Sequence, residues 1–247
     1  MTTESRSTSA RPLDGRVILV TGATGGLGRV ACRTFADAGA TVLLLARNEK
    51  RLDVLYDELV AAGAPTPVAI PLDLAKQKDP QFEELAQTIE VQLGRLDGIA
   101  HFASQFVELS ALVHQGLPDW ERAFAVNTLA PFALTRACLP LLQRSPDASV
   151  LFCCEAHALA PAAFWGGFSA SQSGLVALMR ILADEYRDQP QLRFNLLVPG
   201  AIETPMRERS HPGETRAERR PVSELAPLLL DWLGPHSRGS SGTTVRA

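Results

Sequence analysis

The sequence predicts an α/β protein, a single doubly wound parallel sheet of about seven strands with helices on both faces. Two observations carry that prediction. From residue 17 onward, apolar runs of strand length alternate with longer segments of helical period, and a glycine cluster joins the first run to the first segment. Strands covered on both faces read as continuous apolar runs, as these do.

VILVTG (17–22) reads as a buried strand, and LGRVACRTFADAG (27–39) as a helix stopped at Gly39, the residue that most readily takes the backbone of a helix end. TVLLLA (41–46) is a second aliphatic strand, and the spacing from Glu49 to Ala62 is helical. PVAIPLD (67–73) is the third strand, PQFEELAQTIEVQL (80–93) a helix and LDGIAHFA (96–103) the fourth strand. Two helices are predicted next, Pro118 to Val126 and Pro131 to Gln143. ASVLFCC (148–154) is the fifth strand, Ser169 to Arg187 a helix and LRFNLLVPG (192–200) the sixth strand. Residues 203–221 are polar, hold three prolines and show no period, so a lid-like loop is expected there. SELAPLLLDWLG is a last helix, and SSGTTVRA supplies a short final strand.

With 247 residues, 46% of them apolar, the chain can bury one large core, and residues 12–247 are expected to form a single domain. Residues 1–11 are polar, lack the apolar stretch of a secretory signal and read as a disordered tail. A formal charge of −3 without basic clusters argues against nucleic acid as a partner. No uninterrupted apolar run is long enough to span a membrane, and a cytoplasmic protein is expected. Cys32, Cys138, Cys153 and Cys154 lack metal-type spacing and read as buried thiols; no metal is expected.

TGATGGLG (21–28) carries the clearest chemical signal, because it lies between a strand and a helix. Gly22 permits the tight turn, Gly26 lets a pyrophosphate approach the backbone, and Gly28 lets helix and strand pack closely; open amides at the helix start then bind phosphate. After the second strand stand Ala46 and Arg47, where a carboxylate would be expected for a free ribose; a guanidinium suits a 2′-phosphate and favours NADP(H) over NAD(H). Asp73, after the third strand, would sit by the adenine or serve the turn.

Gly22-x-x-x-Gly26-x-Gly28, Asp73, VNTLAPF (126–132) and VPGAIETPM (198–206) together resemble the short-chain dehydrogenase/reductase family, from about Leu13 to Val245. The resemblance implies a Rossmann-type fold, a nicotinamide dinucleotide and hydride transfer between the nicotinamide and a carbonyl or alcohol carbon. It places Thr24, Leu27, Leu74, Ala103 and Asn127 against the cofactor, with Pro199, Gly200, Ile202 and Thr204 lining the nicotinamide. It also implies a homo-oligomer, for which the broad apolar faces of the helices at Pro131 to Gln143 and Ser169 to Arg187 are suited.

The family's catalytic pattern is broken here. A Tyr-x-x-x-Lys pair and a preceding Ser are replaced by Phe168, Gln172 and Glu155, and Phe102-Ala103-Ser104 stands after the fourth strand; of the usual catalytic positions only Asn127 remains. Carbonyl reduction needs a proton donor beside the developing alkoxide, and Phe168 has none. Glu155, with His157 and His101 expected near it, is an acid–base candidate, or else a strand-end carboxylate paired with an arginine. His101 reads as a satisfied core residue. Phe164, Trp165 and Phe168 form an apolar substrate wall or a core and oligomer contact. Three readings follow: an NADP(H)-binding sensor, scaffold or partner subunit without standard reductase activity, which the missing residues favour; an oxidoreductase of altered chemistry using Glu155; and a protein that keeps the fold alone.

Overall fold

The computed structural model describes residues 11–247; all but the last residue of the predicted tail lie outside the described residues. Seven strands form one parallel sheet: β1 (Val17–Thr21), β2 (Thr41–Ala46), β3 (Val68–Pro71), β4 (Gly98–His101), β5 (Ala148–Cys153), β6 (Leu192–Val198) and β7 (Thr244–Arg246), in the order β3-β2-β1-β4-β5-β6-β7. All pair parallel, with Thr21 opposite Leu45 on one side and His101 on the other. The order reverses at β1 and β4, which leaves a crevice beyond their carboxyl ends, the place where such sheets bind ligands.

The helices are α1 (Gly26–Asp37), α2 (Glu49–Ala61), α3 (Asp79–Leu93), α4 (Leu117–Phe124), α5 (Ala130–Arg144), α6 (Gly166–Glu185), α7 (Pro205–Ser210) and α8 (Ala226–Leu233). One buried cluster joins the sheet to α3, α5 and α6, with Leu134, Leu142 and Met179 against Ile99, Val150 and Phe152; a second joins it to α1, α2 and α8, with Phe35, Leu52 and Leu229 against Ile18, Val42 and Leu44. Below the sheet, at the other end of the strands, Asp147 receives Arg16 at 2.7 Å and is paired with Arg193, and all three side chains are nearly buried.

Three predicted boundaries change. The helices expected at 118–126 and 131–143 are one continuous helix, because the π-turn Ala125–Leu129 links α4 to α5. A widened turn carries the chain past Pro131, whose missing amide would otherwise interrupt the i→i−4 ladder. The joined helix, Leu117–Arg144, is by length and composition apolar enough to cross a membrane, yet just over half of that apolar window is buried inside the molecule. It packs against α3 and α6. In the segment read as a structureless lid, Thr204 Oγ1 accepts from Arg207 N at 3.1 Å and caps α7, with Pro205 at its first position. Six residues are too few to display a helical period. The helix expected from Ser169 starts at Gly166.

Candidate active site

A cleft of about 650 Å³ opens over the carboxyl ends of the strands. At its centre the β1–α1 turn lies against the end of β4. Gly22 has φ +67°, and a Cβ there would stand 2.7 Å from Ala103 N; a Cβ on Gly28 would stand 2.1 Å from Gly22 O. Only glycine fits either position. Thr21 Oγ1 accepts from Ala103 N at 3.2 Å, tying the two strand ends together. Gly25 caps α1 without a side-chain hydrogen bond, so the first-turn amides around Gly26, Leu27 and Gly28 stay available to a phosphate. Thr204 faces Gly26 across the cleft.

One end of the cleft is lined by Ala46, Arg47, Asn48, Arg51, Leu72, Asp73 and Leu74. Arg47 and Arg51 have no ion-pair partner among the described residues. Asn48 caps α2 by accepting from Arg51 N at 3.0 Å, which fixes the turn carrying Arg47. Asp73 serves its own turn as well as the cleft wall, accepting from Ala75 N at 3.2 Å. Thr24, Ala103, Pro199, Gly200 and Ile202 also line the cleft, as expected positions of a dinucleotide site. The glycine geometry and the open helix start fit a pyrophosphate.

At the other end stand Glu155, Gln172 and, from α7, Met206, Arg207 and Arg209. Glu155 is 9% exposed. Its Oε2 accepts from His157 N at 2.6 Å and meets His157 Nδ1 at 2.6 Å, while Oε1 accepts from Arg207 Nη1 at 3.1 Å. Arg207 is itself held by Glu214, from Nε at 2.8 Å. His157 lies face to face on Trp165, with ring centres 3.8 Å apart. The arginine pairing expected as one reading of Glu155 is present, and the carboxylate stands at the cleft wall between an imidazole and a guanidinium.

The positions of the missing Tyr and Lys are filled by packing and neutral hydrogen bonds. Phe168 is buried against Phe106 and Trp165, edge to face with Phe106 at 5.1 Å. Gln172 Oε1 accepts from Glu155 N at 2.8 Å, and its Nε2 donates to Ser104 Oγ at 3.3 Å. Gln172 thus holds the strand end that presents Glu155.

Two candidates sit elsewhere than expected. Asn127 is buried behind the wall: its Oδ1 accepts from Gln105 N at 2.7 Å and its Nδ2 donates to Gln105 O at 3.1 Å and Ser171 Oγ at 2.9 Å. Its side-chain amide is spent on positioning the loop after β4, and its neighbour Val126 reaches the cleft instead. His101 does not reach Glu155 and takes the satisfied core position also expected for it, stacking on Phe152 at 5.0 Å and contacting Thr135 Oγ1 at 2.9 Å. Burial pushes its pKa down to about 3, so it stays neutral. Arg51, Arg207, Arg209 and His211 were not singled out in the sequence; the Thr204-Pro205 pair, a helix-start signal, could have marked α7, which carries Arg207 and Arg209 and ends just before His211.

A doubly wound parallel sheet with a glycine turn and open helix start at its switch point defines a dinucleotide-binding α/β protein. The chain belongs to the short chain dehydrogenase family, whose pattern it matches over residues 16–215. It is 37% identical to the uncharacterized oxidoreductase YciK of Escherichia coli K12, over 95% of this chain and 92% of that one. Its fold matches that of a short-chain-dehydrogenase-type protein of Pseudomonas syringae with a TM-score of 0.92 and 38% identity, covering 96% of each chain. A Shigella flexneri 2a protein of the same type, crystallised with NADP, matches with a TM-score of 0.92 and 35% identity, over 96% of this chain and 98% of that one.

Proposed function

We propose that the protein is an NADP(H)-dependent oxidoreductase that interconverts an alcohol and a carbonyl, with the Glu155–His157 pair taking the proton in place of the family's Tyr and Lys. NADP(H) is favoured by Arg47 and Arg51 at the adenosine end, and by the NADP bound to the Shigella flexneri neighbour. Gly22, Gly26 and Gly28 would hold the pyrophosphate and Arg47 the 2′-phosphate of such a dinucleotide, which would supply the hydride chemistry of the reaction.

The observation that carries this reading is the Glu155 carboxylate at the cleft wall, joined at 2.6 Å to His157 Nδ1. In the oxidising direction Glu155 takes the alcohol proton and passes it to His157, whose side chain is 27% exposed and releases it to water; in the reducing direction the proton returns along the same route. Arg207 orients the carboxylate, and Gln172 fixes the backbone that bears it.

The test is turnover of NADPH with a panel of aldehydes and ketones, and of NADP⁺ with the matching alcohols. E155Q should lower turnover by about 10²–10⁴-fold while NADPH affinity stays within about twofold. No turnover by a parent protein that binds NADPH would overturn the proposal. It would return the protein to the non-catalytic reading of a sensor, scaffold or partner subunit, which the neutral packing of Phe168 and Gln172 favours.

A homo-oligomer, dimer or tetramer, accompanies this reading, because Leu129 and Phe132 on the joined α4–α5 helix and Ile181 on α6 are 57%, 43% and 54% exposed. Light scattering that gives a monomer at micromolar concentration would refute it. A reducing, cytoplasmic setting suits four unpaired cysteines whose burial raises their thiol pKa values.

A further inference from the structure

Beside the cofactor cleft, the end of β5 and the end of α7 bring three metal-ligating side chains together. Glu155, His157 and His211 each offer one ligand atom, and all of these lie within 4.8 Å of one another. We propose that the cluster binds a divalent transition-metal ion of the zinc class through one carboxylate oxygen of Glu155 and one ring nitrogen each of His157 and His211.

The distances suit such an ion. Tetrahedral ligands about 2.0–2.2 Å from zinc stand about 3.3–3.6 Å from one another. Here Glu155 Oε2 is 2.6 Å from His157 Nδ1, Glu155 Oε1 is 3.9 Å from His211 Nε2, and one ligand atom from each residue lies within 4.8 Å of the others, so shifts on the order of 1 Å would bring the set to that spacing. The donor set of two imidazoles and a carboxylate is one that zinc-class ions use when they keep a further position open.

Two of the three ligands also have the hydrogen-bonded outer partner that metal sites use, and the third is held by ring stacking. Arg207 holds Oε1 of Glu155, while Oε2 is turned toward His157, accepting from its backbone N at 2.6 Å and meeting its Nδ1. His211 Nδ1 is engaged with Ser210 Oγ at 2.9 Å, which leaves Nε2 facing Glu155. The His157 ring is clamped on Trp165. The positive charge of Arg207 does not cancel the site, because Glu214 forms a two-point ion pair with it.

The ion would stand where Glu155 Oε2 and His157 Nδ1 now meet and would cross-link the β5 end to the end of α7. Slowing of turnover is the one consequence that rests on the proposed proton route; binding does not depend on it.

The experiment is calorimetric titration of chelator-treated full-length protein with ZnCl₂, in the absence of cofactor. One equivalent should bind to the parent, and H211A and H211Q should each weaken binding at least tenfold, while H236A, which alters an exposed histidine, should not. A parent that takes up no Zn²⁺, or a His211 variant that binds as tightly as the parent, would overturn the site. In parallel, Zn²⁺ should slow NADPH turnover by the parent, reversibly with chelator, and leave H211A unaffected. Zn²⁺ binding with undiminished turnover would keep the site and overturn the block on proton transfer.

Discussion

Replacing Arg47 with alanine tests how the cofactor's adenosine end is read. Arg47 directly follows β2, on the turn that Asn48 pins to α2, and it lines the cleft without an ion-pair partner among the described residues. A hydrogen bond to a charged group contributes about 1.5–3 kcal/mol when well formed. Arg47 is exposed, so solvent and salt screen it, and about 1–2 kcal/mol is the appropriate magnitude. R47A should therefore weaken NADPH binding by about 5–30-fold and leave NADH binding within about twofold. Fluorescence titration of both cofactors against parent and variant measures this, and repeating it at higher salt should shrink the NADPH difference. Equal losses for NADPH and NADH would refute the reasoning, because Arg47 would then serve the shared part of the two cofactors rather than the 2′-phosphate.

Three further outcomes follow from named contacts. D147N should leave Arg193 and Arg16 without their buried counter-charge, costing about 3–5 kcal/mol and lowering Tm by about 6–20 °C at neutral pH. Burial alone would raise the Asp147 carboxyl, but Arg193 and Arg16 outweigh it and hold its pKa below the usual range. Its contribution is thus present above the unfolded carboxyl pKa of about 4 and is lost as pH falls through the folded value; a Tm difference from D147N that failed to shrink in acid would contradict this. G22A forces φ +67° on an L-residue and drives a Cβ against the Ala103 backbone, so a Tm loss of at least about 2–4 °C with weakened NADPH binding is expected, and an unchanged thermal scan would show the turn to be more pliable. The F168Y/Q172K pair supplies a phenol and a cation and should raise NADPH-dependent reduction of simple ketones above the parent; no gain, with cofactor binding intact, would mean that position 168 does not face the reacting carbon.

The order of strands and helices was legible because it is written in local patterns: continuous apolar runs for strands buried on both faces, and helical spacing between them. The glycine turn was legible for a stronger reason, since Gly22 and Gly28 sit where any Cβ would meet backbone. The loss of Tyr and Lys at 168 and 172 was equally plain, because their spacing lies within one helix turn. What fills their place was decided only by the fold. Glu155 meets Arg207 from 52 residues away and His211 from a segment whose helix is too short to show a period. The core position of His101 was legible from its apolar flanks, and it stacks on Phe152 as a satisfied residue; the direction of Asn127 was not, since its side chain turns behind the cleft wall toward Gln105. Likewise, the π-turn that joins α4 to α5 depends on how the joined helix packs against α3 and α6. By itself the sequence determined which backbone could form a dinucleotide cleft, because steric and periodic constraints act between near neighbours. The tertiary structure alone decided which charges face one another in that cleft, because the sheet order brings distant strand ends together and the pairing energy of side chains depends on that distance.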